Sequence, residues 1–284
     1  MKKDFVLTLV CPDTRGIVHA VSGCLVSTDC NILDSAQFGD PQTGLFCMRI
    51  HFEATGGVRD AAALEAAFAP VGEQFRMDWS LWDRSVPSRV LILVSQLDHC
   101  LQDLLYRHAI GELNVEIVAV VSNHDTTREL VAASQIPFHH WPVSQENKAQ
   151  QESRLIELIE SERVDFVVLA RYMQILSKDL CERLPGRIIN IHHSFLPGFA
   201  GARPYAQAHR KGVKIIGATA HYVTAELDEG PIIEQDVERV DHSMDEDELA
   251  AVGRDIEKVV LARAVRYQAE RRIILSGGRT VVFR

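Results

Sequence analysis

An amide and an imidazole stand two residues apart in Asn190-Ile191-His192-His193-Ser194-Phe195-Leu196-Pro197-Gly198. A carboxylate follows in Leu227-Asp228-Glu229-Gly230-Pro231. These three groups can work on a carbonyl. The imidazole of His192 exchanges protons, the amide of Asn190 donates to a developing oxyanion, and Asp228 orients the ring and favours its cation. The apolar pair Ile188-Ile189 predicts a strand running into Asn190. Side chains two apart on a strand share a face, so Asn190 and His192 should point one way and His193 the other. Open parallel sheets build sites beyond the carboxyl ends of their strands, where these residues fall. The chemistry expected is acyl transfer at a small carbonyl.

Plainer uses exist for the same residues. An Asn and a His at a strand end also serve as turn and packing groups, and an Asp before Gly-Pro also forms turns. Glu226 and Glu229 read as solvated. His192, His193, His209 and His221 lie close in sequence, but none has a recognised metal-ligand spacing. No metal is expected.

The elements that must position these groups divide in two. Phe5 to Val10, Asn31 to Phe38, Leu45 to Phe52 and Glu73 to Trp82 read as strands. Helical spacing covers Ile17 to Ser27 and Asp60 to Val71. The order is βαββαβ, a ferredoxin-like layout. Arg84 to Ser88 is polar and carries Pro87, which marks a boundary. The expectation is a first domain over 1–84, a linker at 85–88 and a second domain over 89–284. In the second, Val90 to Val94, Val115 to Val121 and Phe166 to Ala170 are continuous apolar runs, as in strands buried on both faces. Helical stretches near Cys100 to His108, Thr126 to Ala133 and Asn147 to Ser161 alternate with them. That alternation predicts a doubly wound, mostly parallel, Rossmann-like α/β sheet. Ile215 to Val223 and Pro231 to Val237 read as a late strand pair around Asp228. Met244 to Arg272 reads as one long amphipathic helix, and Arg279 to Phe283 as a strand.

Bulk properties narrow the classes. The chain has 284 residues, 46% apolar and 24% charged, with net charge −9. A nucleic-acid partner is not expected, because phosphate binding calls for a basic stripe. The densest basic stretch, Arg263 to Arg272, reads as a solvated helix face. No apolar run approaches the ~20 residues of a membrane span. No signal-peptide pattern opens the chain. Six cysteines without a Cys-x-x-Cys read as reduced thiols in a cytoplasmic protein.

Asn-x-His followed by Leu-Asp-x-Gly-Pro resembles the folate-dependent formyltransferase family. In that family the Asn, His and Asp surround the formyl carbon, which implies Asn190, His192 and Asp228 as the catalytic triad. Leu169-Ala170-Arg171-Tyr172-Met173-Gln174-Ile175-Leu176 resembles the segment lining the pterin pocket. The resemblance implies Met173, Gln174, Ile175 and Leu176, with Leu227, as folate contacts. Gln174 stands where many members carry Arg, but recognition there is by backbone, which survives the swap.

Within the family, the wording of His192 to Phe199 and of Gly201-Ala202-Arg203-Pro204-Tyr205 is similar to the branch that hydrolyses 10-formyltetrahydrofolate. Ile215-Ile216-Gly217-Ala218-Thr219, Asp241-His242 and Gly253-Arg254-Asp255-Ile256-Glu257-Lys258 match that branch as well. The implied products are formate and tetrahydrofolate, which would balance one-carbon pools and supply formate for purine synthesis. Folate is then a substrate, and no cofactor is implied. The purine-pathway transferase of the family grips its amine's phosphate with a Gly-rich loop after the first strand of this domain. Here that stretch, Val94 to Cys100, has no glycine, and Asp98 would repel a phosphate. Water remains as the nucleophile. Rival readings are a transferase acting on another amine and a folate or amino-acid sensor on the same scaffold.

The N-terminal region resembles an ACT domain. Such domains commonly pair edge to edge and bind amino acids, which implies a homo-oligomer, dimer or tetramer, and an effector site at Asp13, Arg15, Gly16 and Asn31. Methionine and glycine are the implied effectors. The plainer reading is oligomerisation alone, with Asp13 capping the helix.

Overall fold

Along β1 (Lys3–Pro12), Phe5, Leu7, Leu9 and Cys11 recur at every second position. That period puts the four on one face of a sheet. They pack there with Ile17, Val21 and Leu25 of α1 (Ile17–Ser27) and with Leu64 and Phe68 of α2 (Ala61–Gln74). The structure, a computed structural model, describes residues 3–55, 60–198 and 204–284. Phe199, Gly201, Ala202 and Arg203 of the loop wording quoted above lie outside the described residues. Strands β2 (Cys30–Asp40), β3 (Leu45–Ala54) and β4 (Asp78–Asp83) complete an antiparallel sheet in the order β2-β3-β1-β4. This is the expected ferredoxin-like layout. Its last strand starts later than expected, because α2 runs on to Gln74 and closes with the Phe75 N–H on the Val71 carbonyl at 3.2 Å.

The described residues form two compact units, Met1–Pro87 with Glu270–Arg284, and Ser88–Ala269. In the latter, β5 (Ser88–Val94), β6 (Val115–Ser122), β7 (Phe138–His140), β8 (Phe166–Ala170) and β9 (Ile188–His192) run parallel. Strands β10 (Ile215–Tyr222) and β11 (Ile232–Arg239) add antiparallel at one edge. The order is β11-β10-β9-β8-β5-β6-β7. Every residue of β8 is buried, as its unbroken apolar run demands. Between the strands lie α3 (His99–Ala109), α4 (Arg128–Ala133), α5 (Lys148–Ser161), α6 (Lys178–Arg183) and α7 (Pro204–Lys211). Helix α8 (Glu246–Ala269) runs along β10 and β11 and packs on α3. Leu91, Leu93, Val167 and Leu169 meet Leu155 and Ile159 of α5 on one sheet face.

From β5 the chain moves outward to β6 and β7, then returns to β8 on the other flank of β5. The strand ends at such a reversal leave a crevice for ligands. Ser95 ties the loops there together. Its N–H meets the Arg171 carbonyl at 3.3 Å, its hydroxyl donates to Asn123 Oδ1 at 2.7 Å and accepts from the Met173 N–H at 2.9 Å.

The tail departs from the expected bound of 89–284. Helix α8 stops at Ala269, and β12 (Ile273–Ser276) pairs with β13 (Arg279–Val282) as a separate hairpin. Ile274 and Phe283 bury against Cys47, on the face of the first sheet opposite α1 and α2. Arg271 and Arg272 therefore are not part of a helix face. Arg271 stacks over Trp82 at 3.7 Å, and Arg272 pairs with Glu270. All six cysteines are free, and among the described residues no helix is long and apolar enough to cross a membrane.

Candidate active site

Strand β9 carries Asn190 and His192 on one face, and β10 lies beside it with His221 opposite Asn190 and Thr219 opposite His192. His192 is only 5% exposed. Asp228 arrives from the turn between β10 and β11 and sits at φ 59°, a left-handed conformation that Asp tolerates better than most side chains. Gly230 lets this turn close on β10: a Cβ there would lie 1.7 Å from the Tyr222 carbonyl oxygen. The result sets Asp228 Oδ1 3.3 Å from His192 Nδ1. Nδ1 thus faces the carboxylate, and Nε2 is buried.

Asn190 is oriented by His221. The Asn190 amide nitrogen lies 3.2 Å from His221 Nε2, and His221 Nδ1 lies 2.9 Å from the Tyr222 carbonyl oxygen. A carbonyl only accepts, so Nδ1 carries the proton and Nε2 accepts from the amide. Burial, with a smaller push from His192, lowers the His221 pKa and keeps the ring neutral. One amide N–H of Asn190 is thereby committed, and the second is fixed in direction. The loop beyond β9 is pinned as well. The Leu196 N–H donates to Thr219 Oγ1 at 3.0 Å, that hydroxyl donates to the Ser194 carbonyl at 2.9 Å, and Gln235 Nε2 donates to the Leu196 carbonyl at 3.0 Å.

His193 does not point away from His192. The strand ends at His192, so the alternation of faces no longer applies, and the two rings stack at 5.3 Å. Arg171, with φ 63°, bonds His193 Nδ1 through its guanidinium and lies 3.4 Å from Glu257 Oε2. Glu257 also accepts from His99 Nε2 at 2.8 Å and from the Tyr205 hydroxyl at 2.6 Å. Glu257 is a member of this network that no motif spacing in the sequence singles out. Its signal was in the helix: Leu249, Gly253, Glu257, Val260 and Ala264 form one buried stripe on α8, and a carboxylate inside such a stripe needs partners.

The pterin-segment residues follow β8. Met173 and Ile175 are more than half exposed, as is Leu227 beside Asp228. Gln174 and Leu176 line a small apolar hollow with Leu93, Val121, Trp141 and Tyr172. The Met173 N–H is already committed to Ser95, so backbone recognition there must use other groups of the segment. Among the described residues, His192, His193, His209 and His221 group with no further metal ligands, and the ligand atoms that cluster are those of His99, Cys100 and Glu257. Glu257 is already bonded by His99 and flanked by Arg171, which disfavours a cation.

The suggested effector residues lie in the other unit. Gly16 takes φ 94° and forms the N-cap of α1 without a side-chain cap, so Asp13 does not cap this helix. Asp13, Arg15, Gly16 and Asn31 are all exposed. The Asp13 N–H bonds the Gly44 carbonyl at 2.8 Å, and Asn31 Nδ2 reaches Glu53 Oε1 at 3.4 Å.

The family model described as Formyl transferase matches residues 88–265. A formyltetrahydrofolate deformylase of Bacillus subtilis (strain 168) is 50% identical over 278 residues, covering 98% of this chain and 93% of that protein. The solved structure of a formyltetrahydrofolate deformylase from Burkholderia mallei superposes with TM-score 0.94 at 51% identity, covering 99% of this chain and 100% of that one. One from Pseudomonas syringae pv. tomato gives TM-score 0.97 at 44% identity, covering 100% and 95%.

Proposed function

Because this chain belongs to the formyltetrahydrofolate deformylases, and so hydrolyses 10-formyltetrahydrofolate to formate and tetrahydrofolate, we propose that Asn190, His192 and Asp228 carry out that hydrolysis. The observation that carries the assignment is the 3.3 Å approach of Asp228 Oδ1 to His192 Nδ1, on the face that β9 shares with Asn190. Water adds to the formyl carbon beside His192, its proton passing to the imidazole and later from the imidazole to the leaving N10. The free N–H of Asn190 and the His192 cation, favoured by Asp228, hold the tetrahedral oxyanion. The carbon–N10 bond then breaks, N10 takes a proton and formate leaves. Each of these steps needs only side chains of this site, and we propose that neither a metal nor a cofactor takes part.

The folate would lie along Met173, Gln174, Ile175, Leu176 and Leu227, where the exposed apolar side chains of Met173, Ile175 and Leu227 suit a planar ring. We further propose that the ACT-like unit serves regulation and oligomerisation, as a dimer or tetramer. Methionine or glycine would bind near Asp13, Arg15, Gly16 and Asn31, where the exposed N-terminus of α1 suits a carboxylate. The free cysteines favour a cytoplasmic setting. The test is formate release from 10-formyltetrahydrofolate in plain buffer, with no amine present. Wild type should release formate, and His192→Ala should not while still binding folate. Wild-type turnover by His192→Ala would overturn the assignment.

A further inference from the structure

Behind the proposed triad lies a buried polar relay that ends on His193. Glu257 is 1% exposed and Arg171 8%, so each charge needs the other. The carboxylate stays ionised despite burial, because His99, Arg171 and Tyr205 all donate to or attract it. The site is built for this. A Cβ on Gly253, one turn before Glu257, would fall 2.0 Å from the Tyr205 hydroxyl, so Tyr205 reaches the carboxylate through the space that glycine leaves open. Arg171 holds a left-handed backbone conformation while its guanidinium spans from Glu257 to His193.

A guanidinium only donates. His193 Nδ1 must therefore be an acceptor, and the neutral ring carries its proton on Nε2. The groups facing this ring are Arg171 from the loop after β8, Glu257 from α8, His192 from β9 and Tyr205 from α7. We propose that Glu257 and Arg171 are positioning residues for the hydrolysis, holding His193 as a neutral, Nε2-protonated ring against His192, so that positive charge gathers on His192 alone. The proposal rests on His192 being catalytic. Two stacked imidazoles cannot both be cations at low cost, because like charges repel strongly where water is excluded. Burial and Arg171 together push the His193 pKa down to about 3.

The test uses the full-length protein labelled with ¹⁵N-histidine, with His193 assigned through His193→Asn. The wild-type ring should show one protonated nitrogen, Nε2, unchanged from pH 8 to pH 5. A His193 that titrates in this range, or that is protonated on Nδ1, overturns the proposal. Kinetics supply the second arm. Arg171→Met and Glu257→Gln should each lower kcat at least tenfold with KM within threefold. Added to His193→Asn, either should cost less than threefold more, since both act through that ring. Full additivity would show that they act elsewhere. If Arg171→Met does not fold, Glu257→Gln and the wild-type spectrum carry the test. His192→Ala in the same assay separates the two readings: an active His192→Ala removes the premise, whereas an inactive one beside additive Arg171 effects removes only the relay.

Discussion

His221 faces Asn190 across the β9–β10 ladder, and its Nε2 accepts a hydrogen bond from the Asn190 amide nitrogen at 3.2 Å. Strand pairing thus aims the proposed oxyanion donor, and the imidazole needs to be neutral for this. Replacing His221 with Phe keeps a planar ring but deletes the acceptor. A misaimed donor costs transition-state stabilisation rather than folate binding. The expected loss in kcat is about 10- to 100-fold, the range for one hydrogen bond at about 1–3 kcal/mol, with KM little changed. Steady-state kinetics check it. A rise in KM alone would place His221 in substrate binding.

Asp228 combines a proposed catalytic role with a conformational demand. Its left-handed φ of 59° suits Asp and Asn but not β-branched residues. Asp228→Asn should therefore melt close to wild type while losing at least about a hundredfold in kcat, within the usual range for acid–base groups. Asp228→Val should lose both activity and melting temperature. Similar melting of the two variants would show that the turn does not depend on this conformation.

The grouping of Asn190, His192 and Asp228 was legible because it is local. Asn190 and His192 are two apart on a strand that its apolar residues announce, and Asp228 stands in a turn announced by Gly230-Pro231. The buried runs Val90 to Val94 and Phe166 to Ala170 marked the parallel sheet for the same reason. Long-range relations were not legible. Glu257 is 86 residues from Arg171 in the chain, and the two meet only because α8 packs on α3 beside the end of β8. His193 departs from the expected face because the period-two rule lapses where the strand ends at His192. The short β7 and α6 offered too few residues for any period. The tail follows the second domain in sequence, yet Ile274 and Phe283 find their apolar partners on β3.

His193 should make stability pH-dependent with a defined sign. Its folded pKa, about 3, lies below the ordinary value near 6.5. Between these limits the unfolded chain binds a proton that the native ring refuses, so stability falls as pH drops below about 6.5. The share of this one group is about 1 kcal/mol between pH 7 and 5.5. His221, lowered in the same direction by burial, adds to the effect. Melting temperatures at the two pH values should diverge less in His193→Asn than in wild type. Equal divergence would mean that His193 titrates normally in the native protein.

Gly230 offers a probe of the turn that delivers Asp228. A Cβ at this position would fall 1.7 Å from the Tyr222 carbonyl oxygen and 2.8 Å from its carbon, both backbone atoms. No rotamer change can relieve such a contact, so Gly230→Ala must move one backbone segment away from the other. The carbonyl that would shift is the one that accepts from His221 Nδ1, and the segment that would shift with Gly230 carries Asp228 two residues earlier. Both orienting contacts of the triad are therefore strained by one methyl group. Overpacking of this kind costs about 1–3 kcal/mol of stability, which a chain of this size can tolerate. Catalysis has less tolerance, since misplacement by about 1 Å can cost about a hundredfold. The expected outcome is a folded Gly230→Ala protein with kcat down by at least about a hundredfold and a melting temperature only a few degrees lower. Purified variant, thermal melts and formate release at saturating folate decide it. Near-normal turnover would show that the turn has slack and that the His192–Asp228 contact does not depend on it.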